Sequence, residues 1–197
     1  MKWYHFFLLF SILFLSACGG FGGRYKIETM PLEEFSDSKK IPLDVKLVLD
    51  PVLCNYVYVS SRQGAKRAYE LGDALCSSTK KLFATLFNNV TVVSSNNDNT
   101  EANFNAIVTP KVVDTSVLVR PGAPPNFEAT IIYECSMVDV NGRIIFLRTV
   151  KENNVLKQYG YDSYGTVMQE AANELFIRLG NELVQSPEIK KFADSLK

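Results

Sequence analysis

The chain has 197 residues, of which 47% are hydrophobic and 21% charged, and its 21 basic side chains are balanced by 21 acidic ones. This length is typical of one domain with a sizeable core, and the absence of a net positive charge excludes a charge-driven nucleic-acid-binding protein. The single histidine, His5, lies in a segment that we expect to be removed, which excludes Ser-His-Asp and Cys-His catalysis and His-ligated metal sites.

The N-terminus carries the pattern of a lipoprotein signal peptide. Residues 6–15 are apolar apart from Ser11, a run too short for the roughly 20 residues that span a bilayer but typical of a signal-peptide core. The next residues, Leu15-Ser16-Ala17-Cys18, resemble the lipobox of bacterial lipoproteins, in which the cysteine thiol receives a diacylglyceryl group and the preceding peptide is cut. An ordinary secretory signal with a chance cysteine is the alternative. We favour a signal peptide at residues 1–17 and lipid attachment at Cys18.

The residues after Cys18 predict a tether and a location. Four glycines between positions 19 and 23 are typical of a flexible linker, so residues 18–40 are expected to be the lipidated cysteine and a flexible tether. Several acyl chains at one terminus would give a stable membrane anchor. Gly19, rather than aspartate, after the cysteine indicates sorting to the outer membrane, with the rest of the chain facing the periplasm.

Three further cysteines, Cys54, Cys76 and Cys135, lack the C-x-x-C spacing of zinc or thioredoxin-like sites. We favour three buried thiols, and a Cys54–Cys76 bridge in an oxidising periplasm remains the alternative.

A single α+β periplasmic domain is expected at residues 41–197. The sequence of its first half predicts strands and one helix. Alternating apolar residues indicate a strand at residues 43–49 and a weaker one at 55–60. Spacings of three and four then predict an amphipathic helix from about residue 67 to 88, ending at Asn88-Asn89 and followed by a strand at 90–93.

The second half predicts strands and then a helix. A strand at residues 103–119 is interrupted by Pro110, which indicates an edge or a bulge. Strands at 127–138 and 143–150 flank Asn141-Gly142 and predict a tight hairpin. Thr166 and Gln169 match a capping box before a long apolar helix face, and a small helix is expected after Ser186-Pro187. The whole pattern predicts an α+β fold: a mixed, mostly antiparallel sheet with two main helices packed on one face.

Two groups of residues are candidate binding sites. Arg62, Lys66 and Arg67 form a basic loop entering the first helix, where cations and backbone donors could bind a phosphate or an acidic glycan; a solvated connection is the alternative that we favour. Three tyrosines near the last helix could present aromatic anchors to a partner or pack against the sheet edge: Tyr159, Tyr161 and Tyr164.

Catalysis is not expected. Asp114, Glu128 and Glu134 could approach one another across the sheet as paired carboxylates, but the alternation favours charges that face solvent. We therefore expect a protein that is not an enzyme and has no cofactor and no bound metal.

The layout resembles that of small bacterial envelope lipoproteins, the broad group of transporter-auxiliary, lipopolysaccharide-assembly and curli-secretion-type lipoproteins. The resemblance lies in the lipobox and in three stretches, at residues 47–51, 69–90 and 139–143. It implies a non-catalytic accessory or scaffold in envelope assembly or transport, anchored in the outer membrane through its lipid and bound to an envelope protein complex, with no nucleic-acid partner. The alternative is a lipoprotein that binds a lipid or glycan, such as lipopolysaccharide, through the basic loop.

Overall fold

The computed structural model describes residues 22–61, 66–95, 103–157, 160 and 162–197. Cys18, Arg62, Tyr159 and Tyr161 lie outside these described residues. The strands are β1 (Arg24–Lys26), β2 (Ile41–Val48), β3 (Val57–Ser60), β4 (Arg67–Glu70), β5 (Phe87–Val93), β6 (Ala106–Arg120), β7 (Asn126–Asp139) and β8 (Ile144–Lys157). The helices are α1 (Pro51–Cys54), α2 (Gly72–Leu86), α3 (Ser163–Gln185) and α4 (Pro187–Asp194).

The larger sheet has five strands in the order β5-β2-β6-β7-β8. β2 runs parallel to β5 and β6, whereas the long β6–β7 and β7–β8 pairs are antiparallel. The predicted α+β fold with a mixed, mostly antiparallel sheet is therefore confirmed. A second sheet of three strands, β1-β4-β3, was not predicted.

One face of the larger sheet is covered by α2 and α3, as predicted. Every second residue of β7 is buried, beginning at Phe127 and including Tyr133. The Tyr133 hydroxyl lies 2.7 Å from the Thr79 hydroxyl on α2, and its ring lies 5.8 Å from that of Phe176 on α3. The two helices thus meet over the centre of the sheet, where burying each large side chain contributes roughly 1.5–3 kcal/mol.

The hairpin between β7 and β8 is confirmed. Gly142 has a φ of +80°, the left-handed conformation that glycine tolerates without strain, and its N–H donates to the Asp139 carbonyl at 3.0 Å. The Asp139 carboxylate accepts the N–H groups of Asn141 and Arg143 at 2.9 and 2.8 Å. Pro110 lies just beyond the three residues of β6 that pair with β2, and a register shift follows at Val112, in agreement with the predicted edge or bulge.

The predicted start of the first helix is wrong. Residues 67–70 form strand β4, because Tyr69 pairs with Tyr25 of β1 and Tyr58 of β3 and its side chain is fully buried between them. The helix begins only at Gly72, where a Cβ would collide with the backbone of Cys54 and Tyr56. Nor does it end at Asn88-Asn89: it stops at Leu86 and the chain continues directly into β5.

The prediction of a flexible tether over residues 18–40 is wrong for its described part. β1 pairs with β4, and four apolar side chains after it are buried in the core: Ile27, Met30, Leu32 and Phe35. Hydrogen bonds hold this segment to both main helices. The Met30 N–H donates to Ser78 Oγ on α2 at 2.9 Å, and the Glu28 N–H donates to Gln169 Oε1 on α3 at 2.8 Å. The folded body therefore begins before residue 41.

The capping box predicted at Thr166 and Gln169 is also wrong. α3 begins at Ser163, and the Thr166 hydroxyl donates to the Asp162 carbonyl at 3.0 Å. Gln169 instead binds Glu28, as described above. The helix predicted after Ser186-Pro187 is confirmed as α4.

Two of the three cysteines form a disulfide, so our preference for three buried thiols is wrong and the Cys54–Cys76 alternative is correct. The Cα atoms of the pair are 5.3 Å apart, in the ordinary range for a bridge. Cys135 is a free, buried thiol on β7, and its burial raises its pKa to about 12. It is therefore a small core residue and not a reactive one.

Candidate functional site

Two predicted site residues, Arg67 and Tyr164, are in direct contact. The Arg67 guanidinium lies 4.1 Å above the centre of the Tyr164 ring, a cation–π arrangement. Tyr164 is half-buried and packs edge-on against Phe127 at 4.8 Å and against Tyr25 at 6.1 Å. Tyr164 thus holds the start of α3 against β7 and β1. Of the two roles considered for the tyrosines, partner binding and packing, these contacts are those of packing.

The basic loop does not lead into a helix. Arg67 is the first residue of β4, and the helix that follows in the chain begins only at Gly72. Lys66 is exposed, and the last described residue before it is Ser61, which directly follows β3. The phosphate site considered at Arg62, Lys66 and Arg67 therefore lacks the helix N-terminus that this hypothesis placed directly after the loop.

A tyrosine cluster lies beneath Arg67. The Tyr69 ring is stacked 5.2 Å from Tyr25 and lies 5.8 Å from Tyr58. Burial and then the neighbouring Tyr25 raise the pKa of Tyr69 far above its usual range, so its hydroxyl stays protonated. Tyr69 Oη and Arg67 Nε have no hydrogen-bond partner among the described residues, and they border a space of about 70 Å³. That volume accommodates about two water molecules.

The three carboxylates considered for catalysis are separate. Glu128 pairs with Arg120 at 2.6 Å, and this hydrogen bond lowers the pKa of Glu128. Glu134 pairs with Lys111 at 2.8 Å. Asp114 accepts the N–H of Thr115. Within the described ranges there is no group of three or more His, Cys, Asp or Glu side chains that could hold a metal ion.

A groove at the end of α3 was missed by sequence reasoning. It has a volume of about 610 Å³ and lies between the segment entering β2 and the α3–α4 corner. Its lining comprises Ser38, Lys39, Lys40, Ile41, Pro42, Leu183, Val184, Ile189, Lys190, Ala193, Asp194 and Lys197. No local signal could have revealed it, because its two lysine-bearing walls are about 150 residues apart in sequence.

One wall of the groove, α4, is fixed by its N-cap. Ser186 Oγ accepts the N–H of Ile189 at 3.2 Å and donates to Glu188 Oε2 at 2.7 Å. Arg148 donates to the other Glu188 oxygen at 3.0 Å. The Ser186 hydrogen bond, then a backbone hydrogen bond and the Arg148 hydrogen bond, lower the pKa of Glu188 to about 2.

We expect Ser186→Ala to destabilise the protein by about 1 kcal/mol, the usual cost of losing an N-cap side chain. It should also raise the Glu188 pKa, which an NMR titration of the side-chain carboxyl would measure. Because the folded-state pKa is depressed from 4.5, the stabilisation from ionised Glu188 is complete above about pH 4.5 and is lost as the pH falls through about 2. Ser195→Ala, at the other end of α4, is the control, and an unchanged Glu188 titration in Ser186→Ala would contradict this account.

The opposite end of α3 gathers several chain segments into what we call the Gly23 end, defined by Gly23, Lys66, residues 121–125 and Lys157. The Gly23 carbonyl accepts the N–H of Ala68 at 2.9 Å, beside the contact between Arg67 and Tyr164. The β6–β7 connection lies at the same end, since Phe127 packs on Tyr164, and Lys157 pairs with Asn126 in register. α3 is 23 residues long, so the groove lies about 34 Å from this end.

The fold is that of an α+β domain with a three-stranded and a five-stranded sheet. Among the helices of the described part of the chain, none is long and apolar enough to cross a membrane. No protein-family model matches the sequence, and no curated protein matches it either.

Solved structures show where this fold occurs. The chain is similar to a protein from Xanthomonas campestris assigned to the family DUF330, with a TM-score of 0.57 and 12% identity over 89% of this chain and 100% of that one. A minor lipoprotein from Acinetobacter baumannii gives a TM-score of 0.43 and 10% identity over 72% of this chain and 91% of that one. The first likeness shows a shared fold; the second is too low to support an argument.

Proposed function

We propose that the protein is an outer-membrane lipoprotein, acylated at Cys18, whose periplasmic domain is a non-catalytic accessory or scaffold in envelope assembly or transport. The observation that carries this proposal is the small number of residues between the lipobox cysteine and the first point at which the chain is attached to the folded domain. The chain is fixed to β4 by the Gly23 carbonyl, five residues after Cys18. Five extended residues reach at most about 18 Å, so the lipid would hold the Gly23 end beside the membrane.

This arrangement suits a role in binding. A domain attached by so short a segment is confined to a thin layer at the membrane surface, which raises its effective concentration for any membrane-bound partner. It is also oriented: the Gly23 end faces the lipid, and the groove end faces away from it. The scattered, individually paired carboxylates and the buried Cys135 support a role other than catalysis. The alternative of glycan binding through the basic loop gains no support from Arg67, whose guanidinium is stacked on Tyr164.

The anchor is tested by Cys18→Ala in the full-length protein produced in a bacterium. We expect the wild-type protein to incorporate an alkyne-tagged palmitate and to sediment with outer membranes, and the variant to do neither. Cys135→Ala is the matched control, because it removes a cysteine of the same chain and leaves the lipobox intact. Equal labelling of the wild-type protein and the Cys18→Ala variant would overturn the proposed anchor.

The accessory role is tested separately by crosslinking in cells and mass spectrometry of the purified adducts. We expect the wild-type protein to recover the same envelope proteins in repeated experiments, with a reduced yield for Cys18→Ala because confinement to the membrane is lost. Recovery of no envelope protein would overturn the accessory role, even if the lipid were present.

A further inference from the structure

The groove at the carboxyl end of α3 is rich in unbalanced positive charge. Lys39, Lys40 and Lys190 are exposed at its rim, and none of the three has an ion-pair partner within the part of the chain that the structure describes. The only acidic side chain in the lining, Asp194, already pairs with Lys197 at 2.6 Å. The rim therefore offers three uncompensated ammonium groups to a negatively charged ligand.

Beneath these lysines the walls are apolar. Ile41 and Pro42 contribute apolar surface from β2, Leu183 and Val184 from α3, and Ile189 from α4. The volume of about 610 Å³ falls within the range of roughly 300–1,000 Å³ typical of small-molecule sites. An apolar trough with a cationic rim complements a molecule that has a hydrocarbon chain and one anionic headgroup.

We propose that this groove binds a single-chain anionic amphiphile, such as a long-chain fatty acid. Its chain would lie along Val184 and Ile189, and its headgroup would receive charge-assisted hydrogen bonds from Lys39 and Lys190. The lysine stems can cover the chain while their ammonium groups reach the headgroup at the rim. This choice of ligand rests on the combination of charge and apolar surface, since neither feature alone selects it.

The position of the groove adds a consequence. Because the groove lies about 34 Å along α3 from the Gly23 end, a ligand in it is outside the bilayer that the lipid of Cys18 would enter. The protein would then hold the bound amphiphile outside the bilayer, as a ligand and not as a component of the membrane surface. The inference does not depend on the proposed scaffold function, because all the groove residues lie in the folded domain between residues 38 and 197.

The test uses the full-length lipoprotein in phosphatidylcholine nanodiscs, incubated with palmitate that carries a mid-chain diazirine and then irradiated. We expect crosslinks in peptides covering residues 38–42 and 183–197. The double variant Lys39→Glu/Lys190→Glu should lower that labelling by at least about tenfold, the factor expected for the loss of a hydrogen bond to a charged group. Lys80→Glu/Lys81→Glu, with the same charge change on exposed positions of α2, is the matched control and should label like the wild type.

Three results would overturn the proposal. The first is equal labelling of both double variants, with urea midpoints showing that each is folded. The second is equal labelling of the groove by the uncharged hexadecanol analogue of the probe, which would remove the need for an anionic headgroup. The third is a photoreactive residue at position 184 that crosslinks in cells to an envelope protein and to no lipid, which would make the groove a protein-docking site.

Discussion

Removal of the Cys54–Cys76 bridge is expected to lower the free energy of unfolding by about 3 kcal/mol, as the chain-entropy account predicts for a closed loop of roughly 20 residues. The two cysteines are 22 positions apart and join α1 to the second turn of α2 across strands β3 and β4. Without the bridge, the unfolded chain regains the freedom of this loop. For a domain of this size the loss corresponds to a fall in Tm of about 6–12 °C.

The measurement is urea unfolding of the wild type with and without a phosphine reductant, beside the double variant Cys54→Ala/Cys76→Ala. Reductant should destabilise the wild type and leave the double variant unchanged, because Cys135 has no partner to lose. A double variant as stable as the oxidised wild type would contradict the prediction. A reductant effect of equal size in the double variant would show that the reductant acts elsewhere.

The elements that the sequence predicted well are those determined by near neighbours. The β7–β8 hairpin combines strict alternation with an Asn-Gly pair, so that strand period and turn chemistry agree. α3 is long, so its apolar face is recognised in the sequence even though the predicted N-cap, Thr166, is four residues beyond the observed one, Asp162. In both cases the information lies within one continuous stretch of chain.

Strand β4 shows why other elements could not be predicted. Residues 67–70 precede a helix with strong three- and four-residue spacing, and Ala68 and Leu71 extend that spacing backwards from Leu75. What decides their conformation is pairing with β1, more than 40 residues earlier, and with β3. Non-local pairing overrides the local pattern here.

The candidate sites were predictable only in part. The lipobox is a continuous motif, whereas the contact of Arg67 with Tyr164 joins a residue from the predicted basic loop to one from the predicted tyrosine group. The pairing of the cysteines is similarly non-local, since spacing alone does not decide connectivity. The groove depends on the angle between α3 and α4, which only packing determines.

The N-terminal segment before residue 41 was predicted to be a tether but is part of the core. Residues 27–35 carry apolar side chains without a regular period, so the sequence predicted irregular tether. The segment is indeed mostly irregular, but four of its apolar side chains are buried, and Phe35 is only 4% exposed. Its ring packs so closely on α3 that a Cβ at Gly180 would collide with it.

Phe35→Ala is therefore expected to destabilise the protein by about 3–5 kcal/mol, the usual cost of replacing a buried phenylalanine by alanine. Urea unfolding monitored by far-UV circular dichroism measures the change in the free energy of unfolding. Glu34→Ala, at the exposed neighbouring position, is the matched control and should change stability by less than about 0.5 kcal/mol. If the two variants were equally stable, the segment before residue 41 would be a tether and not part of the core. The folded domain could then lie much farther from the lipid than the attachment of Gly23 to β4 allows.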